Sequence, residues 1–137
     1  MLRPESRSRA RALQLLYAWE LLGRPSLDAV ISALARLTGP EPEVLDLAEQ
    51  YLAGVTRGVD RLDSLAGAAA DHWRLERLAL VDRNILRLGI YELLQPELPP
   101  RVAIDQAVWL AQRFGGAQSP GFVNGVLDRV ARNLGRL

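Results

Sequence analysis

The chain has 137 residues, of which 49% are hydrophobic, and this is enough to build a compact fold with its own core. It has no cysteine and a single histidine, His72, which excludes disulfides, thiolate metal sites and histidine-based metal clusters. The net charge is +1, and all 17 basic residues are arginine, the residue best suited to phosphate contacts and base stacking.

Helical periodicity recurs along the chain, and no alternating apolar run is bounded by hairpin turns. The pattern predicts an all-α fold, a compact bundle of about seven helices. In chain order we expect helices over residues 6–22, 25–37, 43–57, 58–72, 75–94, 102–114 and 120–134. We expect one domain over 1–137, with helical subdomains of about 1–72 and 73–137 packed over a shared core.

The sequence offers little to a catalytic or membrane function. It has no GxSxG elbow, no Walker lysine and no HExxH motif, so we expect neither an enzyme nor a cofactor or metal. No apolar run reaches the ~18 residues of a membrane helix, which predicts a cytoplasmic protein with no membrane partner. The acid pairs Glu41/Glu43 and Asp60/Asp63 are interpreted as solvated surface.

The first helix carries a row of polar side chains opposite its apolar stripe. The stripe consists of Ala12, Leu13, Leu16 and Trp19. Arg7, Arg11 and Gln14 share the other side, and such groups suit phosphate and base-edge contacts. A solvated polar face is the alternative. Tyr17 lies at the border, and Arg9 falls on the apolar side, where it is expected to precede the packed part or to make a structural bond.

The last helix begins with a capping signal. Gly115 and Gly116 are expected to end the preceding helix in a left-handed conformation, and Ser119 to act as N-cap before Pro120. Phe122 falls at the rim of the apolar stripe that runs from Val123 to Leu134. An exposed aromatic beside a helix N-terminus can stack on a base next to a bound phosphate. A plain helix cap with a core phenylalanine is the alternative.

Asp82 and Gly125 each lead to a prediction about a helix. Asp82 is expected to cap a helix that begins near Arg83, with Arg87 and Glu92 on its flanks. Its buried stripe is Ile85, Leu86, Gly89, Ile90 and Leu93. In the last helix, Gly125 lowers helix propensity, and a close contact with another helix is the expected reason.

Four blocks of the chain resemble the NusB transcription antitermination factors of bacteria. They are RARALQLLY at residues 9–17, VDRNILRLGIYEL at 81–93, IDQAV with LAQRFG within 104–115, and FVNGVLD at 122–128. The blocks keep the family's order and span nearly the whole chain. The resemblance implies an all-helical fold of two packed helical subdomains.

The resemblance also implies a function and a set of partners. Members of this family bind a single-stranded boxA element in the leader and spacer RNA of ribosomal RNA operons, together with ribosomal protein NusE. The complex helps the RNA polymerase elongation complex to read through terminators. Carried over by position, the RNA surface is Arg3, Arg7, Arg9, Arg11, Gln14, Ser119 and Phe122, and the NusE surface is Tyr17 and Asp82.

Residues 1–24 hold five arginines against two glutamates, and this surplus of three predicts modest RNA affinity without NusE. Two other readings remain open. One is a protein-interaction module or homodimer without RNA binding, anchored by Tyr17, Trp109 and Phe122. The other is an accessory domain of an RNA cytosine methyltransferase, which needs a nucleotide-binding α/β domain downstream.

Overall fold

The computed structural model describes residues 4–38, 41–70 and 77–137. These residues form seven α-helices and no strand, which confirms the all-α prediction. The helices are α1 (Pro4–Leu21), α2 (Leu27–Thr38), α3 (Pro42–Arg57), α4 (Val59–Ala69), α5 (Leu80–Leu93), α6 (Pro100–Phe114) and α7 (Ser119–Asn133). Arg3, His72 and the subdomain boundary predicted near residue 72 lie outside the described residues.

The first compact unit is Met1–Arg57, in which α1 packs along α3 and α2 contacts both. Its core is apolar and consists of Ala12, Leu13, Leu15, Leu16, Trp19, Val30, Val44, Ala48, Leu52 and Val55. The α1 stripe is therefore buried as predicted. Gly23 follows the end of α1 at φ 80°, and the Arg24 N–H donates to the Trp19 carbonyl at 2.8 Å. A positive φ favours glycine at this position because it has no Cβ.

The second compact unit is Gly58–Leu137, and α5 is its central element. α5 packs against α4, α6 and α7, and most of its residues are buried. α4 belongs to this unit because it packs on α5 and α7. Residues 58–69 thus join the C-terminal helices, whereas the sequence pattern grouped them with the N-terminal ones.

The flank of α5 is buried as well as its apolar stripe. Arg87 is 2% exposed, and its Nε and Nη2 donate to the Asp63 carboxylate at 2.7 Å and 2.9 Å. Arg87 Nη1 also donates to Asn84 Oδ1 at 3.1 Å, and Glu92 is buried as well. The interpretation of Asp63 as solvated surface was wrong, because α4 covers this side of α5. A wheel drawn for one helix does not show such a neighbour.

The close helix contact predicted at Gly125 occurs at Gly89 instead. A Cβ built on Gly89 would lie 2.7 Å from Leu127 Cδ1 and 3.3 Å from Ala107 Cβ, whereas one on Gly125 would meet open space. Gly89 therefore lets α5 approach α6 and α7 closely. Gly125 is exposed, and nothing in the structure requires a glycine there.

Candidate RNA and partner surfaces

The exposed side of α1 carries a row of hydrogen-bond donors. Arg7 and Gln14 are exposed and Arg11 is half-buried, so the predicted polar ridge is present. Arg11 Nη1 donates to Gln14 Oε1 at 2.9 Å, as the i,i+3 spacing allows. This contact uses one guanidinium nitrogen of Arg11, and the exposed part of the side chain can meet an RNA backbone.

Arg7 has an acidic neighbour that the α1 pattern does not contain. Its Nη2 lies 3.6 Å from Glu41 Oε2, and the two side chains are 45% and 42% exposed. Glu41 directly precedes α3, whose packing along α1 brings it to the row. Arg7 and Glu41 line a shallow cavity of about 330 Å³ together with residues 42–44. The helical pattern of α1 does not reveal this neighbour, because Glu41 lies far from Arg7 along the chain.

Arg9 does not belong to this exposed row. Only 6% of the residue is exposed, and it interacts with other groups of the protein. Its burial agrees with its position on the apolar side of the wheel and with the expected structural role. An RNA strand would reach little of Arg9, so the role that the resemblance implies for it has no support from its exposure.

Tyr17 lies in an apolar exposed area at the end of α1. The residue is 38% exposed, and Leu21, one turn further on, is 62% exposed. Leu22 follows at 61%. Large apolar side chains that lie together on a surface are typical of protein–protein contacts. The position of Tyr17 is consistent with a partner surface on the first unit.

The turn between α6 and α7 is closed by Ser119, but not in the way predicted. The N-cap of α7 is Gln118 and Ser119 is the first helical residue. Ser119 Oγ accepts from the Gly116 N–H at 2.9 Å, and the residue is 6% exposed. The N-cap prediction was therefore wrong, because the hydroxyl reaches back into the turn rather than forward into the helix. Its buried hydroxyl is already used within the protein.

Gly115 also differs from the prediction. Its φ is −92°, so it is not left-handed. Glycine is needed here because there is no room for a side chain. A Cβ would lie 2.6 Å from Ser119 Cβ and 2.8 Å from the Ala111 carbonyl oxygen. The close approach of Gly115 and Ser119 keeps the turn short and fixes where α7 begins.

Phe122 lies in the first turn of α7 and is half-buried, as its place at the rim of the stripe predicts. It lines an open cavity of about 440 Å³. The other lining residues are Leu78, Ala79, Asp82 and residues 116–119. The lining is largely apolar, so a flat apolar group can enter and contact the ring.

Asp82 shares this cavity with Phe122. It lies in the first turn of α5, whose N-cap is Ala79, so the prediction that Asp82 caps the helix was wrong. Among the described residues, Asp82 Oδ1 is buried and has no hydrogen-bond partner. A buried acceptor without a donor costs about 1–3 kcal/mol. The structure thus brings together, in the second unit, one residue predicted for NusE and one predicted for RNA.

Two further properties of the described residues bear on other functions. No group of three or more histidine, cysteine or acidic side chains there is placed to hold a metal ion. None of the described helices has the length and apolar character needed to cross a membrane.

Comparison with known proteins gives the family. The model of the NusB family matches residues 6–132. A transcription antitermination protein NusB of Sorangium cellulosum is 46% identical over 133 residues, which cover 96% of this chain and 94% of the relative.

Two solved structures agree in fold. A NusB structure of T. maritima superposes with a TM-score of 0.84 at 34% identity, covering 96% of this chain and 93% of that one. A NusB chain crystallised with NusE and dsRNA superposes with a TM-score of 0.82 at 26% identity, covering 97% and 99%. The protein described here therefore belongs to the NusB family.

Proposed function

We propose that this protein is a transcription antitermination factor that binds boxA-type single-stranded RNA of ribosomal RNA operons together with NusE. In this role it is a binding adaptor in the cytoplasm rather than an enzyme, and it acts on the RNA polymerase elongation complex. The observation that supports this proposal best is the row formed by Arg7, Arg11 and Gln14. These side chains place hydrogen-bond donors along the solvent side of α1, where they suit contacts with RNA.

The arginines of α1 would supply the electrostatic part of the binding. Guanidinium groups neutralise phosphates and release counterions, so the affinity depends on salt. The row contains few charges, and Arg7 has an acidic neighbour. Modest RNA affinity without a protein partner is the expected consequence.

Phe122 would supply a base contact on the second unit. Its half-buried ring faces a largely apolar cavity, and stacking of one base on an aromatic ring contributes about 1–3 kcal/mol. Such stacking requires an unpaired base, which favours a single strand. The related NusB–NusE crystal structure contains dsRNA, so duplex RNA of the same sequence is the natural competitor to test.

NusE would contact the exposed apolar end of α1 around Tyr17. For Asp82, the assignment to NusE rests on the resemblance, and its chemistry is compatible with it. Its carboxylate lines an open cavity, and a carboxylate suits an arginine or lysine side chain of a protein partner. Ser119 would act by holding the α6–α7 turn in place. Its hydroxyl, which accepts from the Gly116 N–H, would not bind RNA directly.

The proposal is tested by titrating a labelled boxA-type oligonucleotide at several salt concentrations, with and without NusE. We expect weak, salt-dependent binding that tightens when NusE is present and that weakens in the double variant Arg7→Ala/Arg11→Ala. RNA affinity unaffected by salt and by the double variant would contradict the proposed RNA surface. Capture of a second copy of the chain, without RNA binding, would instead support the interaction-module or homodimer reading.

A further inference from the structure

Among the described residues, Arg7 is the member of the exposed row of α1 that faces an acidic side chain from a distant part of the chain, Glu41. The Arg7 Nη2 to Glu41 Oε2 distance of 3.6 Å is short enough for an ion pair. Both side chains remain almost half exposed. The pair is therefore accessible to solvent and can be opened by an approaching anion.

The surroundings of the pair disfavour a phosphate. Pro42 is the first residue of α3, and a helix N-terminus attracts anions. Here Glu41 and Glu43 already place two carboxylates at that end, in the same cavity as Arg7. A phosphate that binds Arg7 competes with Glu41 for the guanidinium and enters a cavity that both carboxylates line. Like charges repel.

We infer that Glu41 restrains RNA binding by competing with RNA phosphate for the Arg7 guanidinium. The inference rests on the proposed function, since it assigns Glu41 to the same RNA surface. Glu41 acts through Arg7 and does not itself contact RNA. Its effect is to lower affinity for any single strand, whatever the base sequence, and so to increase the dependence on a protein partner.

The strength of the effect follows from the exposure of the pair. Exposed ion pairs are weak, so replacing Glu41 by glutamine should tighten RNA binding by about two- to five-fold at low salt. The salt dependence should change as well. With Glu41 removed, Arg7 adds one unpaired positive charge, and the slope of log K against log salt should steepen by about 0.7 for a single strand.

The experiment compares Glu41→Gln with Glu43→Gln in the full chain, using a fluorescein-labelled boxA-type oligonucleotide at several salt concentrations. Glu43 lines the same cavity and is the matched control, because the structure gives it no ion pair among the described residues. The expected result is a gain in affinity and a steeper slope for Glu41→Gln, with a clearly smaller change for Glu43→Gln. Both variants alter exposed or half-exposed positions, so thermal melting should show them folded.

A variant of Arg7 separates this inference from the proposed function. In an Arg7→Ala background, Glu41→Gln should lose its extra gain and match Glu43→Gln. Equal gains for the two glutamate variants, or weaker binding by Glu41→Gln, would overturn the inference while leaving the RNA surface in place. If Arg7→Ala itself leaves RNA affinity and its salt dependence unchanged, the proposed RNA surface falls, and the inference falls with it.

Discussion

Arg87 and Asp63 join α5 to α4 through two hydrogen bonds, from Nε to Oδ1 at 2.7 Å and from Nη2 to Oδ2 at 2.9 Å. The arginine side chain is 3% exposed and the aspartate side chain 27%. Such a fork-to-fork pair has the geometry in which an arginine and a carboxylate interact best. The pair gives the Arg87 guanidinium hydrogen-bond acceptors and a counter-charge, because the packing of α4 on α5 removes this group from water.

Asp63→Ala should lower the free energy of unfolding by about 3 kcal/mol, because it leaves the Arg87 charge buried without its carboxylate. Urea denaturation followed by circular dichroism measures this loss. Asp60→Ala is the control on the same helix, where the residue is exposed in the first turn, and it should cost at most about 1 kcal/mol. Equal effects of the two variants would contradict a structural role for the pair.

Arg136→Ala should also destabilise the protein. Its guanidinium donates to the carbonyl oxygens of Leu93, Gln95 and Leu98 at 2.7, 3.2 and 2.9 Å, next to the C-terminus of α5. Losing several charged hydrogen bonds should cost about 2 kcal/mol.

Lysine offers fewer donors in a less suitable shape, so Arg136→Lys should recover only part of the loss. Arg129→Ala, at an exposed position of α7, is the control. Chemical denaturation checks all three variants. Full recovery by lysine would show that the charge matters and the fork geometry does not.

Two glycine-to-alanine changes should have opposite signs. In Gly89→Ala the new methyl group would lie 2.7 Å from Leu127 Cδ1, and Leu127 is fully buried. Overpacking costs about 1–3 kcal/mol and should outweigh the gain of about 1 kcal/mol in helix propensity. Gly125→Ala meets open space and should stabilise by about 0.5–1 kcal/mol. Melting temperatures of the two variants, measured side by side, decide whether close packing explains Gly89.

Phe122→Leu should weaken binding of single-stranded boxA-type RNA by about ten-fold, which corresponds to the loss of one base stack. Phe122→Tyr keeps an aromatic ring and should bind nearly as well as the unchanged protein. Fluorescence anisotropy with the labelled strand measures both. If leucine and tyrosine bind equally well, the ring packs within the fold and does not stack on a base.

Tyr17→Ala should weaken NusE binding while leaving binding of RNA alone unchanged. Aromatic side chains at the centre of an interface often contribute 2 kcal/mol or more, roughly thirty-fold in affinity. Isothermal titration with purified NusE gives the loss directly. Leu37→Ala serves as control, since Leu37 is 83% exposed on α2. Unchanged NusE affinity in Tyr17→Ala would remove Tyr17 from the partner surface.

Much of the fold was predictable from local patterns. Apolar spacing indicates which side of α1 and α7 is buried, and Gly23 marks the end of α1 at a positive φ. The exposed row of Arg7, Arg11 and Gln14 and the half-buried position of Phe122 follow from the same spacing. These features depend on residues a few positions apart, so one helix considered alone contains the necessary information.

The details of the α6–α7 turn could not be predicted from the sequence. Glycine and serine there predict a turn correctly, but their roles follow from distances and not from residue type. Gly115 is needed for the close approach to Ser119, and Ser119 accepts a hydrogen bond from Gly116. A sequence motif allows several such arrangements, and packing of α6 on α7 selects one.

By itself the sequence determined the all-helical class, the buried stripes and the blocks shared with the NusB family, because helical periodicity and short motifs are local properties. Only the tertiary structure decided that Asp63 pairs with Arg87, that Glu41 faces Arg7, and that Asp82 shares a cavity with Phe122. Each of these pairs joins side chains from segments far apart along the chain. These side chains come into contact only after the helices pack. The periodicity within one segment therefore cannot predict the contacts.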